Sequence, residues 1–376
     1  MRIVLTNPFC WPYVRRGSER FSMELGKFLV DRGHDVTIVA AKPGAATVES
    51  TPSGTRILHR LLWSPAMQSL RLNEMHASAP GAFRSLWKID ADLVHSLYYL
   101  DAWIAQRTKR NRKRPLLFHV VGPPFPQGFR RMPPDRQMLR QIMREADETL
   151  AVSSFIADVC EQHYGRRPLV LPVPVDLTRF TANGQRRAAR PTILSIAAFD
   201  ERRKGVRVLV RAFARLKSRV SDAVLKLSGQ ISDSTRHEIL DDLPQPVRED
   251  IHVLGAGRSE DLPGLYREAW VMALPSAAEG FGMALLEAWA CGTPVVVSRH
   301  GSFLELLTDP RVGVFFEPRI ENFEVVNDEE VALALAEGLE LAGRPETTQW
   351  CQAHATKFGW DQVGPKYEQL YKEIAG

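Results

Sequence analysis

The sequence predicts an α/β protein built from two doubly wound parallel sheets in series. Three observations carry this. The chain has 376 residues, too many for one compact core and suited to two. Short β-branched or apolar runs alternate with longer amphipathic segments, the pattern of parallel strands covered by helices on both faces. The alternation then restarts after a polar stretch, residues 181–190, followed by Pro191 and a new strand. The expected domains are therefore 1–180 and 181–359, with a last helix, 360–376, crossing back onto the first. Strand ends of two such sheets would face a common cleft.

The elements follow in order. Ile3–Leu5 reads as a buried strand, followed by a helix over Glu19–Arg32 and a strand over Val36–Ala40. Gly33 is placed to stop that helix by taking positive φ. Further strands are expected at Leu93–His95, Leu116–Val121, Leu150–Val152 and Val170–Leu171. In the second half the strands are Thr192–Ile196, Val224–Ser228, Ile251–Leu254, Val271–Leu274 and Pro294–Val297. Helices are expected over Val206–Ser218 and Gly282–Cys291, the latter stopped by Gly292 and Pro294.

Composition excludes several classes. Nowhere are there about 18 consecutive apolar residues, the length that spans a bilayer. The N-terminus reads as a strand rather than as a signal peptide. The four cysteines, Cys10, Cys160, Cys291 and Cys351, lie far apart without metal-ligand spacing, so neither a metal site nor a disulfide framework is expected. Residues 1–180 hold 26 Lys and Arg against 16 Asp and Glu, whereas residues 181–376 hold 23 against 28. A basic half joined to an acidic half points to an anionic partner for the first half. Its densest run is Arg107-Thr-Lys-Arg-Asn-Arg-Lys-Arg114, with no interleaved aromatic residue, so nucleic acid is not expected.

The chemistry concentrates in Leu274-Pro-Ser-Ala-Ala-Glu-Gly-Phe-Gly-Met-Ala-Leu-Leu-Glu-Ala-Trp-Ala-Cys-Gly-Thr-Pro-Val-Val-Val297. A strand ends, a loop of small residues follows, and Glu279-Gly-Phe-Gly282 opens a helix. Gly280 and Gly282 let backbone N–H groups approach an anion at a helix N-terminus. Glu287 follows Glu279 by a little over two helical turns, so both carboxylates can share a side. Carboxylates accept from sugar and ribose hydroxyls. Phosphate at the N–H groups with hydroxyls at the carboxylates outlines a nucleotide sugar.

This block resembles the signature of the retaining GT-B glycosyltransferases of the group 1, or family four, class. The resemblance spans about residues 1–315 and is sharpest in the second half. It implies the GT-B fold and retaining, metal-independent transfer of a hexose-type sugar from a nucleotide diphosphate, UDP or GDP, with no other cofactor. It places Lys204 at the donor diphosphate, Glu279 and His119 at the transferred sugar, and Gly280, Phe281, Gly282 and Glu287 around the donor. Backbone groups at Val253 and Leu254 would read the base, and Gly17 would lie close to the donor phosphates. The family's arginine beside the first strand of the second domain is replaced by Ala198, leaving Arg202 or Arg203 as substitutes. Arg15, Arg16 and Phe125 are expected at the acceptor.

The expected acceptor is anionic or lipid-linked, with peripheral contact at the inner membrane surface of a cytoplasmic enzyme. Two other readings stay open: a sugar-nucleotide 2-epimerase, which needs no acceptor, and a degenerate family member that binds nucleotide sugars without turnover.

Overall fold

A computed structural model describes residues 1–63, 67, 72–108, 114–129, 133–184, 187–257 and 259–376. The chain divides into two compact units, one comprising Met1–Val173 with Val363–Gly376, the other Pro174–Gln362. The division lies ahead of the polar stretch, at Pro174. Residues after it belong to the second unit because Val175 N–H donates to the Phe358 carbonyl (2.8 Å). Phe180 is also buried there, edge-on to Tyr266.

The first unit carries strands β1 (Arg2–Phe9), β2 (Asp35–Lys42), β3 (Thr47–Thr51), β4 (Gly54–Arg60), β5 (Leu93–Ser96), β6 (Leu116–Val120), β7 (Glu148–Ala151) and β8 (Leu169–Val170). They form one eight-stranded sheet in the order β3-β4-β2-β1-β5-β6-β7-β8. Among the described residues, only the β3–β4 pairing of this sheet is antiparallel. Among the described residues its helices include α1 (Gly17–Asp31), α2 (Glu74–Lys88), α3 (Tyr99–Thr108), α4 (Pro133–Glu145) and α5 (Ser154–Tyr164). β1 is buried from Ile3 to Phe9, as a central parallel strand covered on both faces must be. Gly33 takes φ +82°, and the N–H groups of Gly33 and His34 close back on Val30 and Leu29, ending α1.

The second unit holds β9 (Thr192–Ile196), β10 (Val224–Ser228), β11 (Ile251–Gly255), β12 (Val271–Leu274), β13 (Val295–Ser298) and β14 (Gly313–Phe316). These make a six-stranded parallel sheet in the order β11-β10-β9-β12-β13-β14. A small hairpin, β15 (Ile320–Glu321) and β16 (Glu324–Val325), follows. Its helices are α6 (Val206–Leu216), α7 (Asp233–Leu240), α8 (Gln245–Glu249), α9 (Leu262–Glu268), α10 (Met283–Ala290), α11 (Phe303–Leu306), α12 (Asp328–Ala342) and α13 (Thr347–Ala355). On α6, Val206, Leu209, Val210 and Phe213 recur at helical spacing and are fully buried, each contributing about 1.5–3 kcal/mol. The final helix, α14 (Trp360–Ala375), starts in the second unit and belongs to the first from Val363 onward.

Strand order reverses at β9, which lies between β10 and β12. In open α/β sheets the loops leaving the strands at such a reversal carry the ligand site. Here those loops are 197–205 and 275–282. Among the described residues no helix is long and apolar enough to cross a membrane.

Candidate active site

The two loops beside the β9 reversal are joined at several points. Gly205 adopts φ +72°, and a Cβ there would lie 2.1 Å from the Pro275 carbonyl oxygen, so only glycine allows this approach. Ala277 N–H donates to the Arg203 carbonyl (2.8 Å), and the Arg203 guanidinium donates to the Ala278 carbonyl (2.7 Å). A short 3-10 turn, Arg202–Lys204, aims two of its side chains at the second loop. Lys204 Nζ lies 2.6 Å from Glu279 Oε1, and Arg203 Nη1 lies 3.6 Å from Glu279 Oε2. Burial pushes the Glu279 carboxyl up, but Lys204 and Arg203 outweigh it and hold the pKa below the usual carboxylate range. Arg202 turns away to Glu238 and Glu324 on an exposed face. Of the two arginines that follow Ala198, Arg203 is therefore the one beside Lys204 and Glu279.

Three serines that sequence reasoning passed over shape the second loop. Ser276 Oγ donates to Glu279 Oε1 (2.9 Å), and Ser298 Oγ donates to the Ser276 carbonyl (2.6 Å). Ser302 Oγ donates to the Phe281 carbonyl (2.8 Å). Ser298 and Ser302 have no exposed surface. Only their positions at or just after the ends of β12 and β13 could have signalled them, because hydroxyls carry no periodicity of their own.

α10 starts at Met283 rather than at Glu279, because Gly282 has φ +117° and stands outside the helix as its N-cap. Glu279 thus sits in the loop on Lys204, while Glu287 sits in the second turn of α10, buried, and accepts from the Tyr266 hydroxyl (2.8 Å). The structure gives the two carboxylates separate partners. Gly280 and Phe281 lie between them, with Phe281 edge-on to Phe358. Val253 and Leu254 belong to the edge strand β11, and Leu254 is 43% exposed.

In the first unit, Gly17 opens α1, and Arg15 and Arg16 precede it as exposed residues. Phe125 packs edge-on to Phe155. His119 departs from expectation. It occupies β6 with 0% exposure, stacked on His95 (5.3 Å) and edge-on to Phe21 (5.8 Å), so in this structure its ring is core and presents no surface to a sugar. The reason is its register: β6 directs it toward α1 and α14, against Phe21 and Tyr367. Burial, then the neighbouring His95, lowers its pKa well below the ordinary value.

The basic run is also partly structural. The Arg107 guanidinium lies 3.5 Å from the centre of the Trp103 ring, and buried Arg114 donates to the carbonyls of Leu86 and Ile89. Residues 109–113 lie outside the described residues, as do 130–132.

Comparison with known proteins bears on this arrangement. The pattern for "Glycosyltransferase Family 4" matches residues 15–179, and that for "Glycosyl transferases group 1" matches residues 190–338. A D-inositol 3-phosphate glycosyltransferase of Salinispora arenicola is 30% identical over 315 residues, covering 75% of this chain and 68% of that protein. The chain belongs to the group 1, family four glycosyltransferases. Another relative, a phosphatidyl-myo-inositol mannosyltransferase of Propionibacterium freudenreichii, is 26% identical over 400 aligned positions, covering 100% of this chain and 96% of that protein. The fold agrees with Anabaena HepE, solved with UDP and glucose, at TM-score 0.79 and 17% identity, with 100% of both chains covered. As a group 1 glycosyltransferase with the GT-B fold, the protein transfers a sugar from a nucleotide diphosphate. Among the described residues, no cluster of three or more His, Cys, Asp or Glu could hold a metal ion.

Proposed function

We propose that the protein moves a hexose-type sugar from UDP or GDP, with retention at the anomeric carbon, onto a phosphate-bearing acceptor. The observation that carries the donor assignment is the Lys204–Glu279–Arg203 cluster at the β9 reversal. Lys204 and Arg203 neutralise the departing diphosphate, with backbone N–H groups around Gly280–Gly282 assisting. Arg203 takes the place of the arginine replaced by Ala198. Glu279 positions the sugar, Glu287 the ribose, and Val253 with Leu254 the base. The bond from the anomeric carbon to the phosphate oxygen breaks, and the acceptor hydroxyl bonds to that carbon on the same face. Its proton passes to the departing phosphate, which needs no carboxylate nucleophile.

In the first unit, Arg15, Arg16 and Phe125 take the acceptor. A phosphorylated acceptor is supported by its excess of Lys and Arg, and by relatives named for inositol 3-phosphate and phosphatidylinositol. Such an enzyme works in the cytoplasm at the inner membrane surface.

Thermal stabilisation by UDP, GDP, ADP, CDP and dTDP, each with and without magnesium, tests the donor site. A ligand at 100 times its Kd adds about 2.7 kcal/mol to stability. A selective, magnesium-independent shift for UDP or GDP that shrinks in Lys204→Ala is expected. No shift with any diphosphate would overturn the reading. Sugar release from the donor only when acceptor is present separates transfer from epimerisation and from passive binding.

A further inference from the structure

The first unit has a second cationic feature that the donor site does not use. Along α4, Arg136, Arg140 and Arg144 recur every fourth residue, so they share one face and span about 12 Å at 1.5 Å per residue. They line a groove of about 800 Å³ whose other walls are Pro126, Phe129, Pro133, Gln137, His163 and Tyr164. Like charges at this spacing destabilise a helix. Elsewhere on this surface arginines have carboxylate partners, as Arg166 has Glu148 and Arg167 has Glu161. The three groove arginines have no ion pair among the described residues, and the buried Nε of Arg136 has no hydrogen-bond partner. The nearby carboxylates are committed elsewhere: Asp135 accepts from His76 and Tyr99, and Glu145 accepts from Gln141. The walls are held in place, with the Tyr164 hydroxyl donating to the Pro124 carbonyl (2.7 Å).

We propose that this groove is a binding site for a compound carrying two or more phosphoryl groups. Guanidinium forks match phosphate oxygens in bidentate fashion. Two neighbours one turn apart can clamp one phosphoryl group, and the third arginine then requires another charge further along the helix. The groove is concave with proline and aromatic walls, which suits a discrete ligand better than a flat lipid surface. The site rests on charge and geometry within the first unit, independently of the transferase reading.

The test measures tripolyphosphate binding calorimetrically at low salt in a Lys204→Ala background, which weakens the donor phosphate site, so that dependence on the groove arginines reports the groove. Arg140 and Arg144 are exposed and have no ion pair among the described residues, so replacing them leaves the fold intact, which the UDP or GDP thermal shift of the otherwise native chain verifies. The expected result is binding in the Lys204→Ala chain that weakens at least tenfold when Arg140→Ala and Arg144→Ala are added. Binding unchanged by the two arginine substitutions overturns the proposal, as does absence of binding in the Lys204→Ala chain. Sedimentation with phosphatidylglycerol vesicles, lost with the same arginines while tripolyphosphate does not bind, also overturns it and assigns the face to lipid.

Discussion

The Lys204 ammonium and the Glu279 carboxylate, 2.6 Å apart with side chains only 15% and 11% exposed, bind the two loops of the second unit together. A pair buried to this degree is costly to break from one side, because the remaining charge keeps its desolvation penalty. Lys204→Ala is therefore expected to lose about 3 kcal/mol of stability, and Lys204→Ala with Glu279→Ala to lose less than the two single losses combined. Turnover should fall by about two to three orders of magnitude in Lys204→Ala. Urea unfolding and steady-state kinetics of the double-mutant cycle check both. Because the folded state lowers the Glu279 pKa, the pair's contribution is present above the ordinary carboxylate range and is lost as pH falls through the folded value. The stability penalty of Lys204→Ala should accordingly shrink on acidification.

Glu287 is separated from that pair and bonded to Tyr266. Glu287→Ala should act mainly on donor binding, weakening the diphosphate thermal shift and raising the donor KM about tenfold, for one charge-assisted bond of about 1.4 kcal/mol. The kcat should stay within a few-fold. A fall in kcat as large as that of Lys204→Ala would place Glu287 at the reacting carbon instead.

His119 makes a prediction of opposite character. Neither ring nitrogen has a hydrogen-bond partner among the described residues. Unfolding lets the imidazole take up a proton near pH 6.5, which the folded state resists. Stability present above that pH should thus decline below it, by up to about 1.4 kcal/mol per pH unit for each such group. His95, held down to about pH 3 by burial, adds to the same decline. His119→Phe should make the fall in unfolding temperature between neutral pH and pH 5 shallower and leave the donor KM within about twofold. A tenfold rise in KM would restore His119 to the sugar.

Gly205 tests the junction of the loops by shape alone. Alanine there meets both the strained φ of +72° and the Pro275 carbonyl, so Gly205→Ala should cost about 2–3 kcal/mol. Turnover should fall with it, since Lys204 lies in the turn that Gly205 ends. A variant as stable and active as the native chain would mean that the loops adjust freely.

What the sequence determined by itself was whatever depends on local order. Alternating apolar runs specify strands and helices through period, Gly33 and Gly292 stop helices through their backbone freedom, and the block from Pro275 to Val297 carries its glycines and carboxylates at fixed spacing. β3, β4 and α2 escaped notice because their apolar residues are sparse and mostly half exposed, so period alone is weak there. Tertiary structure decided the rest. Whether Arg202 or Arg203 joins Lys204, whether Glu279 faces Lys204 or Glu287, and whether His119 meets solvent or core all depend on contacts between segments distant in sequence. The Lys204–Glu279 contact spans 75 residues. The strand reversal at β9 brings such segments together, and no periodicity encodes which side chain then points inward.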